Sequence, residues 1–568
     1  MALKAATNRH DLAALLRFQT KMMTSIVYAT HESLKYKTFK VPKKSGGDRT
    51  IAAPIPQLKL LQRRLADLLM DCHAAIMDTH PHRKGLQFGY LPELSVVDNA
   101  YRHRRRRMVL NVDLADFFSS INFGRVRGFF LSDAAFQLHP VVATTIAQIA
   151  CWNNELPQGS PCSPIISGLI GGILDRRLGA LAREHGCTYS RYVDDLTFST
   201  NADTFPNELA ALDPATGRWA VGGKLSHAVG KAGFLVNPDK TRLFGMTGRQ
   251  TVTGLVVNDK VNINRDYEMR TRAAVHHFIR KGVYTVPASL ESVAAGKPPE
   301  KETSPHRLEG MLQWIYSVRD FSDDRKDGSK RHHPTSFSKV YREFLFAKHF
   351  LFMDKPLILC EGKTDNVYLN SALKRLAASY PSLGSWVGAD FKSNLRLFRY
   401  TSKSLQILHL GGGCGDIVQL VRDYRRLWTR LVHRQIAQPV VLVVDNDEGG
   451  ASVFKAIKEV GGPDIKIAEP KILFHVFHNL YIIKTPCGSG TPKSCVEDLF
   501  DAATLGQTLG GKTFNPACDE ETAKHYGKKI FAEGVIRPNW KTIDFAGFHS
   551  ILASLEDAIK GYYGMLVP

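Results

Sequence analysis

At 568 residues the chain is too long for one hydrophobic core and calls for two to four domains. Its 44% hydrophobic and 23% charged content excludes wholesale disorder, while a formal charge of +21 favours a polyanionic partner through counterion release. No apolar run of about 18 residues argues for a membrane span, and Met1-Ala2-Leu3-Lys4 opens no signal-peptide pattern. Nine scattered cysteines without a C-x-x-C pair exclude a zinc ribbon and fit a reducing compartment, so a soluble cytoplasmic protein without a membrane is expected.

Residues 8–38 read as helical, with Leu12, Leu15, Leu16 and Phe18 near helical spacing. Phe39 to Pro54 reads as two short strands joined by a basic Gly-Gly turn. Cations there, Arg49 among them, either grip an incoming triphosphate or are simply solvated. Lys59 to Met70 is an amphipathic helix. Asn99-Ala100-Tyr101-Arg102-His103 precedes Arg104 to Arg107, a run that is either a solvated face or a grip on a nucleic-acid backbone. The strand Met108 to Val112 delivers Asp113, and Phe118 follows five positions later.

Leu156 to Pro164, with Gln158 and Gly159, is a loop by its Pro and Gly content, and an apolar helix runs from Ile165 to about Leu181. Next comes Tyr189-Ser190-Arg191-Tyr192-Val193-Asp194-Asp195. An isolated Asp-Asp pair is usually a solvated turn; apolar and aromatic flanks suit a hairpin that lifts both acids into a cleft. Asp113 can supply the further carboxylate that a two-ion polymerase site requires. Gly233 to Thr241 is turn-like, with Lys240 able to approach phosphate, and Gln250 to Asn258 reads as a hairpin containing Val252, Thr253 and Gly254. Lys297 to Pro305 is a polar loop, Leu308 to Val318 an apolar helix, and Asp323 to Pro334 an exposed loop, with a domain change near 345–355.

In this order these segments resemble the palm motifs of a reverse transcriptase over roughly residues 35–265. The Asn-Ala-x-x-His stretch at Asn99 to His103 and the Val-Thr-Gly at Val252 to Gly254 resemble the bacterial retron branch. The resemblance implies metal-ligand roles for Asp113, Asp194 and Asp195 with Mg²⁺. It implies a sugar gate at Phe118, a template–nucleotide loop at Gln158 and Gly159, and recognition of a cognate structured RNA by Asn99, His103, Val252, Thr253 and Gly254.

Beyond residue 355 the pattern changes. Pro356 to Cys360, Ser404 to Leu410, Gln438 to Val444 and Phe474 to Ile483 read as strands alternating with helices, which argues for a doubly wound parallel sheet with ligands beyond the strand C-termini. Glu361, Asp445 and Asp447 fall at those ends, where they could share a hard cation, Glu361 alternatively acting as a general acid or base. Gly411 to Gly413 is a turn and no P-loop, since no Gly-Lys-Ser/Thr follows. Thr522 to Ala532 carries several basic residues and reads as a solvated helix, with contact to nucleic acid the alternative, and Phe548 to Tyr563 reads as a closing amphipathic helix.

Glu361-Gly362-Lys363-Thr364-Asp365 together with Asp445-Asn446-Asp447-Glu448-Gly449 resembles a TOPRIM domain, and its nuclease branch in particular. That resemblance extends metal roles to Asp365 and Glu497, with one or two ions. The whole chain resembles a retron reverse transcriptase fused to a TOPRIM effector. It implies a multidomain α+β and α/β fold: fingers and palm over 1–265, thumb and linker over 266–350, TOPRIM with a C-terminal extension over 351–568. Implied partners are dNTPs, a retron non-coding RNA, its branched RNA–DNA product and a nucleic-acid target, in antiphage defence. A primase- or topoisomerase-like TOPRIM domain, or an inert nucleic-acid-binding one, are the competing readings. A homo-oligomer is left open, with no heptad repeat to announce one.

Overall fold

The computed structural model describes residues 2–42, 47–81, 84–286, 300–487, 490–518 and 522–566. The chain forms two compact units. The first holds Met1–Met269 and Trp314–Asp324, the second Arg270–Val286, Lys301–Gln313 and Arg325–Pro568. Among the described residues no helix is long and apolar enough to cross a membrane.

The first unit opens with short helical pieces, Arg9–Leu15 and Thr20–Thr24, where one long helix is expected from the sequence. Arg17 takes a left-handed φ of 53° between them and breaks the run. Strands β1 (Tyr36–Pro42) and β2 (Asp48–Pro54) pair antiparallel as the sequence suggests; residues 43–46 of the basic turn lie outside the described residues. Helix α1 (Pro56–Thr79) buries Leu58, Leu61, Leu65 and Leu69, one apolar stripe at helical spacing. Helix α2 (Val96–Arg102) starts at a capping box in which Ser95 and Asp98 exchange hydrogen bonds.

Four antiparallel strands make the central sheet: β3 (Met108–Ala115), β4 (Thr188–Tyr192), β5 (Asp195–Thr200) and β6 (Leu235–Gly245), in the order β4-β5-β3-β6. Helix α3 (Ser163–Glu184) buries Ile165, Ile166, Ile170, Leu174 and Leu178 in the same core as Leu110, Val112 and Phe198 of the sheet. The turn expected at Gly233 to Thr241 is instead mostly strand. Its Pro238 is tolerated because the β3–β6 register slips between Asn111 and Asp113, a bulge that removes the need for its missing N–H. The hairpin of β7 (Thr251–Val252) and β8 (Leu255–Val256) turns through Thr253 and Gly254 at φ 47° and 85°.

The main sheet of the second unit is built from β9 (Leu357–Cys360), β10 (Arg396–Leu397), β11 (Val440–Val444), β12 (Leu473–Phe477) and β13 (Leu480–Lys484). It runs β10-β9-β11-β13-β12 and is parallel except at β12. Every residue of β9, β11 and β13 is buried, which is why they read as unbroken apolar runs. Helices α4 (Asp365–Arg375), α5 (Cys414–Leu431) and α6 (Glu448–Glu459) belong to this unit, and α7 (His549–Leu566) closes it.

Four expectations need correction here. Ser404 to Leu410 is a wide helical turn, because Ser404 exchanges hydrogen bonds with Thr401 and donates to the Leu410 carbonyl, competing with any ladder. Phe474 to Ile483 is a hairpin rather than one strand, turned at His478 with φ 52°. The loop from Asp323 to Pro334 contains a helix, Asp327–His332. Thr522 to Ala532 is no solvated helix, since Phe531 and Ala532 are wholly buried. Residues 297–299 of the polar loop lie outside the described residues.

Gly450 sets the turn from β11 into α6: a Cβ there would stand 1.9 Å from the Asp445 carbonyl oxygen. Gly450→Ala should therefore destabilise the protein by about 1–3 kcal/mol, read as a lowered urea midpoint, whereas Gly415→Ala, with open space around it, should be near neutral.

Candidate active sites

The first site is built on a two-residue turn. β4 ends at Tyr192, β5 begins at Asp195, and these two residues pair across Val193 and Asp194. Val193 sits at φ 61°, a left-handed conformation that costs a β-branched residue on the order of 1–3 kcal/mol. Two hydrogen bonds and a glycine hold it there. Arg191 donates from Nη1 to the Val193 carbonyl at 3.0 Å. The Leu114 N–H donates to the Asp194 carbonyl at 3.0 Å. Gly89 leaves room on the other side, where a Cβ would come within 2.7 Å of Val193 Cγ2.

Arg191 is only 1% exposed. Its Nε and Nη2 reach both oxygens of Asp175, on α3, at 2.8 and 2.7 Å, and the Tyr189 hydroxyl donates to the same carboxylate at 2.8 Å. Burial works against the guanidinium charge and Asp175 outweighs it, so the Arg191 pKa is raised. Gly171 makes the space, since a Cβ there would lie 2.7 Å from Arg191 Cζ.

Asp113 pairs directly with Asp195 in the β3–β5 register, bringing the carboxylates of two strands to one edge. Lys240 Nζ bonds both Asp113 oxygens, at 3.1 and 3.0 Å, and Asn237 donates to one of them at 3.4 Å. Lys240, expected at phosphate, is thus the counter-ion of a catalytic candidate. Asp195 is an exposed residue, yet partial burial of its carboxyl group, then the charges of Asp194 and Asp113, push its pKa up to about 7. Since that exposure weakens the burial contribution, the repulsion among the acids is the firmer cause. Asp194 is raised by burial and by Asp113, with Lys240 and Arg49 opposing. Arg49, exposed on β2, therefore bears electrostatically on this cluster.

Phe118 is half-buried, edge-on to Phe117 and to Tyr90, with ring centroids 5.6 and 6.4 Å apart. Gln158 and Gly159 are exposed, and the Gln158 carbonyl accepts from the Ala52 N–H at 2.8 Å. Gly159, at φ 125°, can carry no side chain, because a Cβ would lie 2.5 Å from the Ala52 carbonyl.

The residues expected at RNA are placed differently. Asn99 and His103 are fully buried. Ser190 donates to Asn99 Oδ1 at 2.6 Å, so it accepts from His103 Nε2 at 2.7 Å, leaving Nδ1 to accept from Ser199 at 2.8 Å. Burial first, then Arg102 and Arg106, push the His103 pKa down to about 3. Neither side chain touches the surface, so both hold α2 onto the back of β4 and β5. Val252 is buried too, while Gly254 is exposed, and Thr253 reaches the Val96 carbonyl at 3.5 Å, joining the β7–β8 hairpin to α2. The arginine run is largely engaged internally: Arg105 with Asp259, Arg107 with Asp203, Arg106 with Thr188, and Arg104 over the Tyr101 ring.

The second site lies at the C-terminal ends of β9 and β11. Glu361 accepts from the Asp445 N–H at 3.3 Å, and Asp445 accepts from the Val496 N–H at 2.9 Å. Burial, then Asp365, Glu361 and Glu497, push the Asp445 pKa up to about 8. Asp365 accepts from the Gly362 N–H at 2.6 Å; burial raises its pKa to about 6, Glu497 and Glu361 adding to the shift. Asp447 instead caps α6, accepting from the Gly450 N–H at 2.8 Å.

Glu497 is buried and paired with Lys528 at 3.0 Å. Its Oε1 has no hydrogen-bond partner of good geometry; the nearby Tyr368 hydroxyl turns to the Lys528 carbonyl. Sequence reasoning missed Lys528, which arrives 31 residues after Glu497, and Cys414, whose thiol Glu361, Asp447 and Asp445 help to raise after burial. It also missed Asp175 and Tyr90. Only Asp175 left a signal, an acid inside an otherwise apolar helix.

Among the described residues no three His, Cys, Asp or Glu side chains form a ready-made metal cage. The donor chemistry nonetheless fits a hard divalent cation at both sites: oxygen ligands that repel one another, and at Glu497 a buried oxygen with no well-formed hydrogen bond among the described residues. In the first site the cation would have to take over Asp113 from Lys240.

The family model described as reverse transcriptase (RNA-dependent DNA polymerase) matches residues 41–260. Retron Mx65 reverse transcriptase of Myxococcus xanthus is 36% identical over 263 residues, 43% of this chain and 56% of that protein, so the chain spans little more than half of that relative. Retron Ec86 reverse transcriptase of Escherichia coli is 30% identical over 321 residues, 56% of this chain and 87% of that protein. A solved structure of telomerase from Candida albicans with an RNA fragment aligns over 55% of this chain and 60% of that one, at 11% identity and a TM-score of 0.29, too slight a likeness to carry weight.

Two outcomes follow from this geometry. Asp175→Ala strands the buried Arg191 charge and should cost about 3–5 kcal/mol in urea unfolding. His103 stays neutral when folded but takes up a proton when unfolded, near the ordinary 6.5. The His103 contribution should therefore be nil above about pH 6.5 and reach a loss of about 2 kcal/mol at about pH 5, read as the difference between the pH–stability curves of wild type and His103→Gln.

Proposed function

The chain belongs to the retron reverse transcriptase family, and on that premise we propose that it copies its cognate structured RNA into branched single-stranded DNA. The observation that carries this reading is Asp113 opposite Asp195, beside Asp194, on adjoining strands. We further propose fingers and palm over 1–265, thumb and linker over 266–350, and a TOPRIM nuclease with its extension over 351–568.

In the polymerase site Asp113, Asp194 and Asp195 would hold the metal. Two Mg²⁺ ions, when bound, supply activation of the attacking hydroxyl and neutralisation of the leaving pyrophosphate. Arg49, whose charge reaches Asp194, is suited to the triphosphate. Phe118, braced by Phe117 and Tyr90, gives a rigid edge against a ribose 2′-hydroxyl. Gln158 and Gly159 form the floor under template and nucleotide. Recognition of the RNA falls to the exposed tip at Gly254 and the face of α2 that Asn99 and His103 hold from within. The primer is the 2′-hydroxyl of an internal guanosine, giving the branch.

In the second unit Glu361, Asp365, Asp445 and Glu497 are the metal-holding candidates, with Asp447 capping the helix beside them. Lys528 sits where it can steady an anionic phosphate. The tyrosines nearest these acids face inward: Tyr368 is buried, and Tyr400 donates to the Cys360 carbonyl at 2.5 Å. That favours phosphodiester hydrolysis over a topoisomerase-like reaction, which needs a presented tyrosine. The branched product keeps this nuclease silent until infection disturbs it, an antiphage role.

Two separate sites predict independent losses. Asp194→Asn should abolish primer extension and leave intrinsic metal-dependent cleavage; Glu361→Ala should do the reverse. Loss of primer extension in a correctly folded Glu361→Ala protein would end the two-site reading.

A further inference from the structure

The second unit contains a cavity of about 1510 Å³ with eight lysines and arginines on its walls against three carboxylates. The carboxylates that pair do so locally. Glu309 holds Lys348 and Lys403, and Glu533 holds Arg537 at 2.8 Å. Lys355, Lys363, Lys374, Arg396 and Arg399 have no carboxylate partner among the described residues. Lys363 and Arg399 are exposed. Arg396 spends one N–H on His349 Nδ1 at 3.0 Å and Lys355 donates to the Ser393 carbonyl at 2.8 Å. Burial, followed by the charges of Lys348 and Arg396, pushes the His349 pKa down to about 3.

The lining also carries an indole, that of Trp540, which stacks on Trp386 with centroids 5.5 Å apart and planes at 14°. Trp386 is 41% exposed yet fixed in place, its indole N–H donating to the Lys374 carbonyl at 3.2 Å. Lining cations together with an indole that stacks on an exposed one is the combination that grips a strand's phosphates while offering its bases a stacking face. The volume exceeds the ~300–1,000 Å³ of a small-molecule pocket and suits several linked nucleotides better than one. A duplex keeps its bases stacked inside and has none to offer the tryptophans.

We propose that this cavity binds a single strand of nucleic acid, its phosphates against Lys363, Arg396 and Arg399 and a base on the Trp386–Trp540 stack. Lys363 lies two residues beyond Glu361, so a strand held here enters beside the acidic cluster. That use of the cavity, as entry path for the nuclease substrate, rests on the nuclease reading above; the binding itself does not.

The test is fluorescence anisotropy of full-length protein in EDTA, with a labelled single-stranded oligouridine and the matching duplex. Lys363→Glu/Arg399→Glu should weaken single-strand binding about tenfold and flatten the slope of log affinity against log salt by about 1.4, two contacts at about 0.7 each, with duplex binding unchanged. Trp386→Ala should weaken it about fivefold or more without altering the slope. Unchanged affinity and slope in a double variant that melts like wild type would overturn the proposal. So would an equal loss for duplex, or full competition by a free mononucleotide. In protein freed of its branched product, cavity-dependent binding without cleavage in Mg²⁺ would end the nuclease reading alone; cleavage without cavity-dependent binding would end this one alone.

Discussion

A buried guanidinium held by both oxygens of one carboxylate carries the geometry of the first site. Arg191 and Asp175 lie almost wholly inside the protein, where an unpaired charge would be intolerable, so neither can move without the other. The Arg191 fork also reaches the Val193 carbonyl and, at 3.4 Å, that of Gly168 on α3. It thereby ties the helix behind the sheet to the strained turn in front. Asp194 and Asp195 stand where they do because a buried pair holds the residue before them in a conformation it would otherwise leave.

The same logic, that buried charge must be compensated, shapes the second unit. Parallel strands buried on both faces leave polar groups only at their ends, and Glu361 and Asp445 fall there. Lys528 answers Glu497, and backbone N–H groups of Gly362 and Val496 answer Asp365 and Asp445. Deeper in, Lys484 is wholly buried and donates to the carbonyls of Lys466, Ile467 and Glu469, which fastens the end of β13 to the segment before β12. Compensation by backbone and by one lysine leaves the acids close together and mutually repelling, the electrostatic condition for holding a hard cation.

What was legible in the sequence is what depends on local pattern. The Asp194–Asp195 hairpin, the strand carrying Asp113, helix α3 and the apolar runs of β9 and β11 all follow from period and composition. What was not legible depends on packing between distant segments. Pro238 signalled a turn because a register slip on the partner strand cannot be seen from one strand. Ser404 to Leu410 is apolar enough for a strand, and only the Ser404–Thr401 hydrogen bonds turn it. His103 and Asn99 read as surface recognition residues, yet their polar partners are two serines nearly ninety or more positions away, so motif likeness indicated importance without indicating side. Lys528 and Cys414 reach the acids only through the fold of the second unit.

The most direct measurement is made on nucleic acid that co-purifies with the protein from cells carrying its native locus, treated with ribonuclease and debranching enzyme, for wild type and Asp194→Asn. A short single-stranded DNA joined 2′–5′ to RNA, present in wild type and absent from the variant, is the result predicted here. Unbranched DNA, or none while the cognate transcript is present, would contradict it.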